Sequence, residues 1–326
     1  MAGLPGSEMD DYTRELIHHF RVNNFILFKR NLSKGPEPAF LLTSEIRQAC
    51  LEAGLSPPLI AVDQEGGPVQ RLAPPFWTKM VSNQEVGLAK MPEEAVVEQA
   101  KTAAELLNEV GININLAPVL DLALSGQNKV MAERCYSCDI SLTASLGMLY
   151  ITTLQSYSIA ATAKHFPGIG RIQQDPHFKR PSISADAETI LSEAQPFQQA
   201  IEAGVMAIMT SHILFPAFDN KNIATFSNAI ANQLLRSKFG FKGVLMTDDL
   251  EMGGIVEHNF VPEAAVKALK AGHDMLLICH DQELVKESIM TIEKAVANGT
   301  LSMKRLKESS NRINKLRFFV ERGGTT

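Results

Sequence analysis

The chain has 326 residues, 45% of them hydrophobic and 21% charged, and a formal net charge of -5. Such usage is that of an ordinary globular protein and excludes a disordered or fibrous class, while an acidic balance with a pI near 5.9 argues against a nucleic-acid partner, which calls for a basic patch. The apolar stretches fall well short of the roughly 20 residues that cross a bilayer. The N-terminus shows no export signal, and Cys50, Cys135, Cys138 and Cys279 are too few and too scattered for a disulfide scaffold, so a cytoplasmic chain is expected.

In chain order, short apolar runs alternate with amphipathic segments, the pattern of parallel βαβ units with buried strands. Residues 25–28 read as a strand, 43–53 as a helix with Thr43 or Ser44 as its N-cap, and 59–62 as a second strand. Residues 92–110 carry apolar side chains at helical spacing and stop at Gly111, after which 112–117 return to strand. A loop over 125–139 leads to a helix over 141–156 and a strand ending at Lys164-His165. The irregular stretch 166–181, rich in Gly and Pro, is expected to belong to the site, because long structureless connections in compact domains are usually functional.

Further on, 188–203, 228–238, 262–270, 284–297 and 302–318 read as helices, and 205–209, 244–246 and 275–278 as strands. With Ala224-Thr-Phe226 as a weak eighth strand, the count fits a (β/α)8 TIM barrel over a single domain, 1–326. The alternative is an open doubly wound sheet. That fold predicts a glycine fingerprint after the first strand, whereas Gly168-Ile-Gly170 lacks the third glycine and sits mid-chain.

Four of the apolar runs end in polar, ionisable residues, where a barrel places its reactive groups. Asp63, Asp121, Lys164, His165, His212 and Asp248 could therefore share one rim. Carboxylates beside basic groups suit a ligand rich in hydroxyls, which needs both donors and charged acceptors. Asp63 and Arg71 fit that task, and Asp248 at the end of Val244-Leu-Met-Thr-Asp248 is a candidate nucleophile. The bland reading makes Asp248 or Asp249 the cap of a following helix; two adjacent acids exceed that need, so Asp249 is given the structural task. In Asp175-Pro-His177 a carboxylate two residues from an imidazole can orient the ring and raise its basicity, though a solvated loop histidine fits the spacing equally well. Cys135-x-x-Cys138 has no second pair to complete a zinc site.

Lys164-His-Phe-Pro-Gly168, Asp175-x-His177, Met209-Thr-Ser-His212 and Thr247-Asp-Asp-Leu-Glu-Met252, with Val62-Asp-Gln-Glu-Gly-Gly67 and Gln70-Arg71, together resemble the family 3 glycoside hydrolases. Within that family the resemblance is to the single-domain bacterial β-N-acetylhexosaminidases, and it runs from Ile26 to Asp274. It implies a barrel and a retaining mechanism through a covalent glycosyl-enzyme on Asp248, with His177 as acid/base and Asp175 as its partner. By the same carry-over Asp63, Arg71, Arg134, Lys164 and His165 bind a non-reducing N-acetylglucosamine, with no cofactor and no metal.

The implied partner is a small sugar substrate, an N-acetylglucosaminide or muropeptide of cell-wall recycling; no nucleic acid or membrane is implied. A monomer is expected, although the sequence leaves the oligomeric state open. Ile169, Arg171, Ile172 and Pro176 stand where the family usually has His, Asp, Thr and Ser, and Met131-Ala-Glu-Arg134 lacks the usual glycine. Another family 3 activity (a β-glucosidase or a glycoside phosphorylase) and a non-catalytic sugar-binding homologue are the alternatives.

Overall fold

The computed structural model describes residues 1–124, 129–172, 181–257 and 259–322. Eight parallel strands form one sheet, hydrogen-bonded in chain order: β1 (Ala2–Gly3), β2 (Asn24–Leu27), β3 (Leu59–Val62), β4 (Ile114–Asn115), β5 (Ala160–Phe166), β6 (Ala207–Thr210), β7 (Val244–Asp249) and β8 (Met275–Leu277). The sheet closes on itself. Ala2 bridges Ile278 in parallel, Gly3 N donates to Ile278 O at 2.9 Å, and Ile278 N donates to Met1 O at 3.2 Å. The architecture is the expected (β/α)8 barrel.

Strand side chains alternate between two apolar environments, as the period of two requires. Ile26, Leu59, Ala61, Ile114, Ala160, Ala207, Met209, Val244, Met246, Met275 and Leu277 fill the interior, closed below by Leu316 and Phe319 of the last helix (Met303–Glu321). Their neighbours Phe25, Leu27, Ile60, Val62, Ala161, Ala163, Ile208 and Leu245 point outward into the larger core under the helices. Those helices start where the sequence supplies caps. Asp139, Asp186, Asp281 and Ser302 each accept from a first-turn N–H, and Pro36, Pro92, Pro196 and Pro262 sit in first turns where no N–H is needed.

Several expected elements differ. Residues Ala224–Phe226 are a turn of 3-10 helix, and the strand that completes the barrel is Ala2–Gly3. The helix expected from residue 43 begins at Pro36, so neither Thr43 nor Ser44 caps it. Thr43 lies inside it and its hydroxyl is 2.8 Å from Val110 O. The helix read over 188–203 is two, Ala187–Glu193 and Gln195–Glu202, parted before Pro196, whose missing N–H suits only a new first turn. The 125–139 loop contains a helix, Lys129–Arg134.

Candidate active site

The row Leu59, Ala61, Asp63 shares one strand parity, as do Ala160, Thr162, Lys164 and Val244, Met246, Asp248. Leu59, Ala61, Ala160, Val244 and Met246 fill the barrel interior, and Asp63, Lys164 and Asp248 follow them at the carboxyl mouth. Asp63, Lys164 and Asp248 therefore come from three distant segments to one rim.

Behind Asp63 the chain doubles back in a hairpin, Gln64–Gly66 against Val69–Gln70. Only glycine fits the end of its first arm at Gly66, where φ is +98° and a Cβ would lie 2.2 Å from Val81 O. The Gln64 amide staples the two arms, its Oε1 accepting from Arg71 N at 2.9 Å and Leu72 N at 3.0 Å. Glu65 and Arg71 are positioned by this turn.

The charges interlock. Asp63 accepts from Lys164 Nζ at 2.8 Å and from Arg71 Nη2 at 3.0 Å. Glu65 lies 2.6 Å from Lys164 Nζ and takes both Nε and Nη2 of Arg134, at 2.8 and 2.9 Å. Burial opposes ionisation of Asp63, yet the Lys164 ammonium and Arg71 guanidinium outweigh it and hold the carboxyl well below its usual range. Burial works the same way on Glu65, and Arg134 and Lys164 again lower its pKa. Lys164 is reciprocally raised, its burial offset by Asp63 and Glu65.

His165 donates from Nδ1 to Asp121 Oδ2 at 2.7 Å, because a carboxylate only accepts. Its Nε2 is thereby left to face Arg134 Nη2 at 3.5 Å. Asp121 Oδ1 also accepts from Ile169 N at 2.8 Å, which ties the start of the 166–181 loop to the site. Arg171 pairs with Glu193 through both Nε and Nη2. Asp175, Pro176 and His177 lie outside the described residues.

Asp248 Oδ1 accepts from Asp249 N at 2.8 Å. Asp249 does not cap a helix: it accepts from Glu251 N at 3.1 Å, and Met252 occupies the cap of the short helix Gly253–Val256. Burial, helped by the charges of Glu251 and Asp248, raises the Asp249 carboxyl to about 7. Of the sites expected from sequence, Asp63, Arg71, Arg134, Lys164 and His165 are joined in one network. Glu65 and Asp121 are absent from the expected sugar-binding set, yet Glu65 bridges Arg134 to Lys164 and Asp121 anchors His165 at the network's edge. A carboxylate ending on the turn residue of Asp63-Gln-Glu-Gly-Gly67 was the available signal. Among the described residues no group of three or more His, Cys, Asp or Glu side chains is placed to hold a metal.

A family model described as the glycosyl hydrolase family 3 N terminal domain matches residues 3–316. The chain belongs to glycosyl hydrolase family 3. It is a glycoside hydrolase, 33% identical over 307 residues to a β-hexosaminidase of Xanthomonas campestris, a match covering 93% of this chain and 89% of that protein. The solved family 3 β-N-acetylglucosaminidase of Paenibacillus superposes with a TM-score of 0.94 at 37% identity over 98% of this chain. This chain spans 61% of the Paenibacillus chain. The β-N-acetylhexosaminidase of Beutenbergia cavernae gives 0.87 at 26% identity, covering 97% of this family 3 hydrolase and 95% of its own chain. Among the described residues of this hydrolase, no helix is long and apolar enough to cross a membrane.

Proposed function

We propose that this barrel is a retaining exo-β-N-acetylglucosaminidase acting on terminal β-linked N-acetylglucosamine. The observation that carries the reading is Asp248 at the carboxyl end of β7, on the same rim as the interlocked charges of Asp63, Glu65, Arg71, Arg134 and Lys164, of which Glu65 and Lys164 are buried. A sugar ring is neutral but dense in hydroxyls, and a fixed set of charged donors and acceptors binds it without reorganising. In this reading Asp63, Arg71, Arg134, Lys164 and His165 hold the non-reducing sugar. Asp248 attacks the anomeric carbon, and the leaving oxygen takes its proton from His177, oriented by Asp175. Water, deprotonated by the same imidazole, then releases the sugar with its configuration retained.

The name of the Paenibacillus relative, a β-N-acetylglucosaminidase, supports the N-acetylglucosamine specificity, and that of the Xanthomonas relative supports a β-hexosaminidase. We take the natural donor to be a peptidoglycan-derived muropeptide met in the cytoplasm, on the strength of the sequence resemblance. The test is labelling by a 2-fluoro-sugar inactivator, with the adduct located by peptide mass. The expected site is Asp248, and Asp248→Ala is expected to lose at least about a thousandfold in kcat. Labelling at another residue, or release of the sugar with inverted configuration, overturns the mechanism. Cleavage of a nitrophenyl glucoside as fast as the N-acetylglucosaminide overturns the specificity, and a rate that needs phosphate turns the assignment to a phosphorylase.

A further inference from the structure

β6 and β7 run side by side with Thr210 opposite Thr247. Two residues beyond that pair the strands meet again, His212 Nε2 lying 2.8 Å from the carbonyl oxygen of Asp249. A carbonyl only accepts, so Nε2 carries the hydrogen. The other ring nitrogen, Nδ1, lies 2.6 Å from the hydroxyl of Thr225, which is also 3.1 Å from Ser211 O. His212 and Thr225 are both buried. Burial outweighs the nearby charge of Asp248 and lowers the His212 pKa, so the ring is neutral near pH 7 and Nδ1 accepts from Thr225.

Asp249 is thus held on both sides. Its carbonyl is fixed by His212, its own carboxylate by Glu251 N, and its N–H donates to Asp248 Oδ1 at 2.8 Å. The structure assigns His212 as the positioning residue of the nucleophile: by pinning the backbone of Asp249 it holds that N–H on Oδ1 of Asp248 and directs Oδ2 toward the sugar. His212 lies just beyond β6 and is buried with both ring nitrogens engaged by protein atoms, Nε2 by Asp249 O and Nδ1 by Thr225, so it acts through the backbone of Asp249. The groups that face it are Asp248 and Asp249 on β7, His165 on β5, His273 beside Thr210, and Thr225. The inference rests on the reading of Asp248 as nucleophile.

Two amides separate this role from packing. In His212→Gln the amide N–H falls where Nε2 was and can still donate to Asp249 O. In His212→Asn it falls where Nδ1 was and reaches only Thr225. A nucleophile displaced by about 1 Å loses on the order of a hundredfold in rate. With nitrophenyl N-acetyl-β-glucosaminide, His212→Asn is therefore expected to lose about a hundredfold in kcat with KM within about threefold, and His212→Gln to recover at least about tenfold of that loss. Equal rates for the two amides, or a loss carried by KM, overturn the inference.

Should neither amide variant fold, Thr225→Val decides: about a tenfold loss in kcat at unchanged KM supports it, and parental kcat overturns it. Inactivator labelling of the parent is measured first. Label away from Asp248 removes the nucleophile reading itself, whereas label on Asp248 at the parental rate in His212→Asn removes only the role of His212.

Discussion

Glu65 shows what the sequence could and could not convey at the scale of one residue. Asp63, Arg71 and Lys164 stand out in sequence because they end apolar runs or flank a glycine turn, and the fold joins them as expected. Glu65 sits on the hairpin arm Gln64–Gly66 and ends no apolar run, yet its side chain is only 1% exposed and bridges Arg134 to Lys164 across the chain. Sequence spacing carries no information about such a link, which exists only once β3, β5 and the Lys129–Arg134 helix are packed. Glu65→Gln removes one of the two carboxylates that neutralise Lys164, and breaking a buried pair in this way costs about 3–5 kcal/mol. The variant is expected to unfold at a correspondingly lower urea concentration, and its KM for the N-acetylglucosaminide is expected to rise, because Arg134 loses its bidentate anchor. The pH dependence has a definite sign. The folded pKa values of Asp63 and Glu65 lie below those of the unfolded chain, so their stabilisation is present above about pH 4 and is lost as pH falls through the folded values. The fall in urea midpoint below pH 4 should be shallower in Glu65→Gln than in the parent.

Among the elements, those with a strong period were legible and those with almost no length were not. Leu59–Val62 and Val244–Asp249 announce themselves as buried strands, with Asp63 and Asp248 at their carboxyl ends. Ala2–Gly3 has two residues and no alternation to read, and its role comes from a register with β2 and Ile278 that only closure of the sheet creates. The expected eighth strand was sought instead at Ala224-Thr-Phe226, where β-favouring residues form a 3-10 turn. That turn has its own function in placing Thr225 behind His212. Gly3 is what lets β1 approach: an added Cβ would meet Cys279 O at 2.0 Å, a backbone atom that cannot swing away. Gly3→Ala must push β1 off β8 and is expected to cost about 1–3 kcal/mol, the usual range for overpacking. A thermal melt checks it, and an unchanged midpoint would mean that the barrel closes without this contact.

For the whole molecule, the two ends of the barrel divide the work of chemistry and cohesion, as barrels generally do. At the amino end, opposite the site, Asp274 precedes β8 and gathers five donors. Its Oδ1 accepts from Arg305 at 2.7 Å, Arg312 at 2.9 Å and Ser309 at 2.9 Å, and its Oδ2 from Arg236 at 2.6 Å and Leu245 N at 3.0 Å. One carboxylate thus ties the last helix, the helix Ala229–Lys238 and strand β7 together beneath the interior core. Burial opposes its ionisation, but Arg236 and the other arginines prevail and lower its pKa. The contribution to stability is then present above the unfolded carboxylate value of about 4 and disappears as pH falls through the folded one. Asp274→Asn leaves three arginines around an uncharged amide and is expected to cost about 3–5 kcal/mol at pH 7. Parent and variant should converge as the pH is lowered, since protonation removes the same charge from the parent. At a temperature where both are folded, kcat/KM should agree within about twofold, because nothing at the mouth depends on this cluster except through the fold. A variant that kept its stability but lost activity would show that the amino end of the barrel acts on the site, and the division of labour would fail.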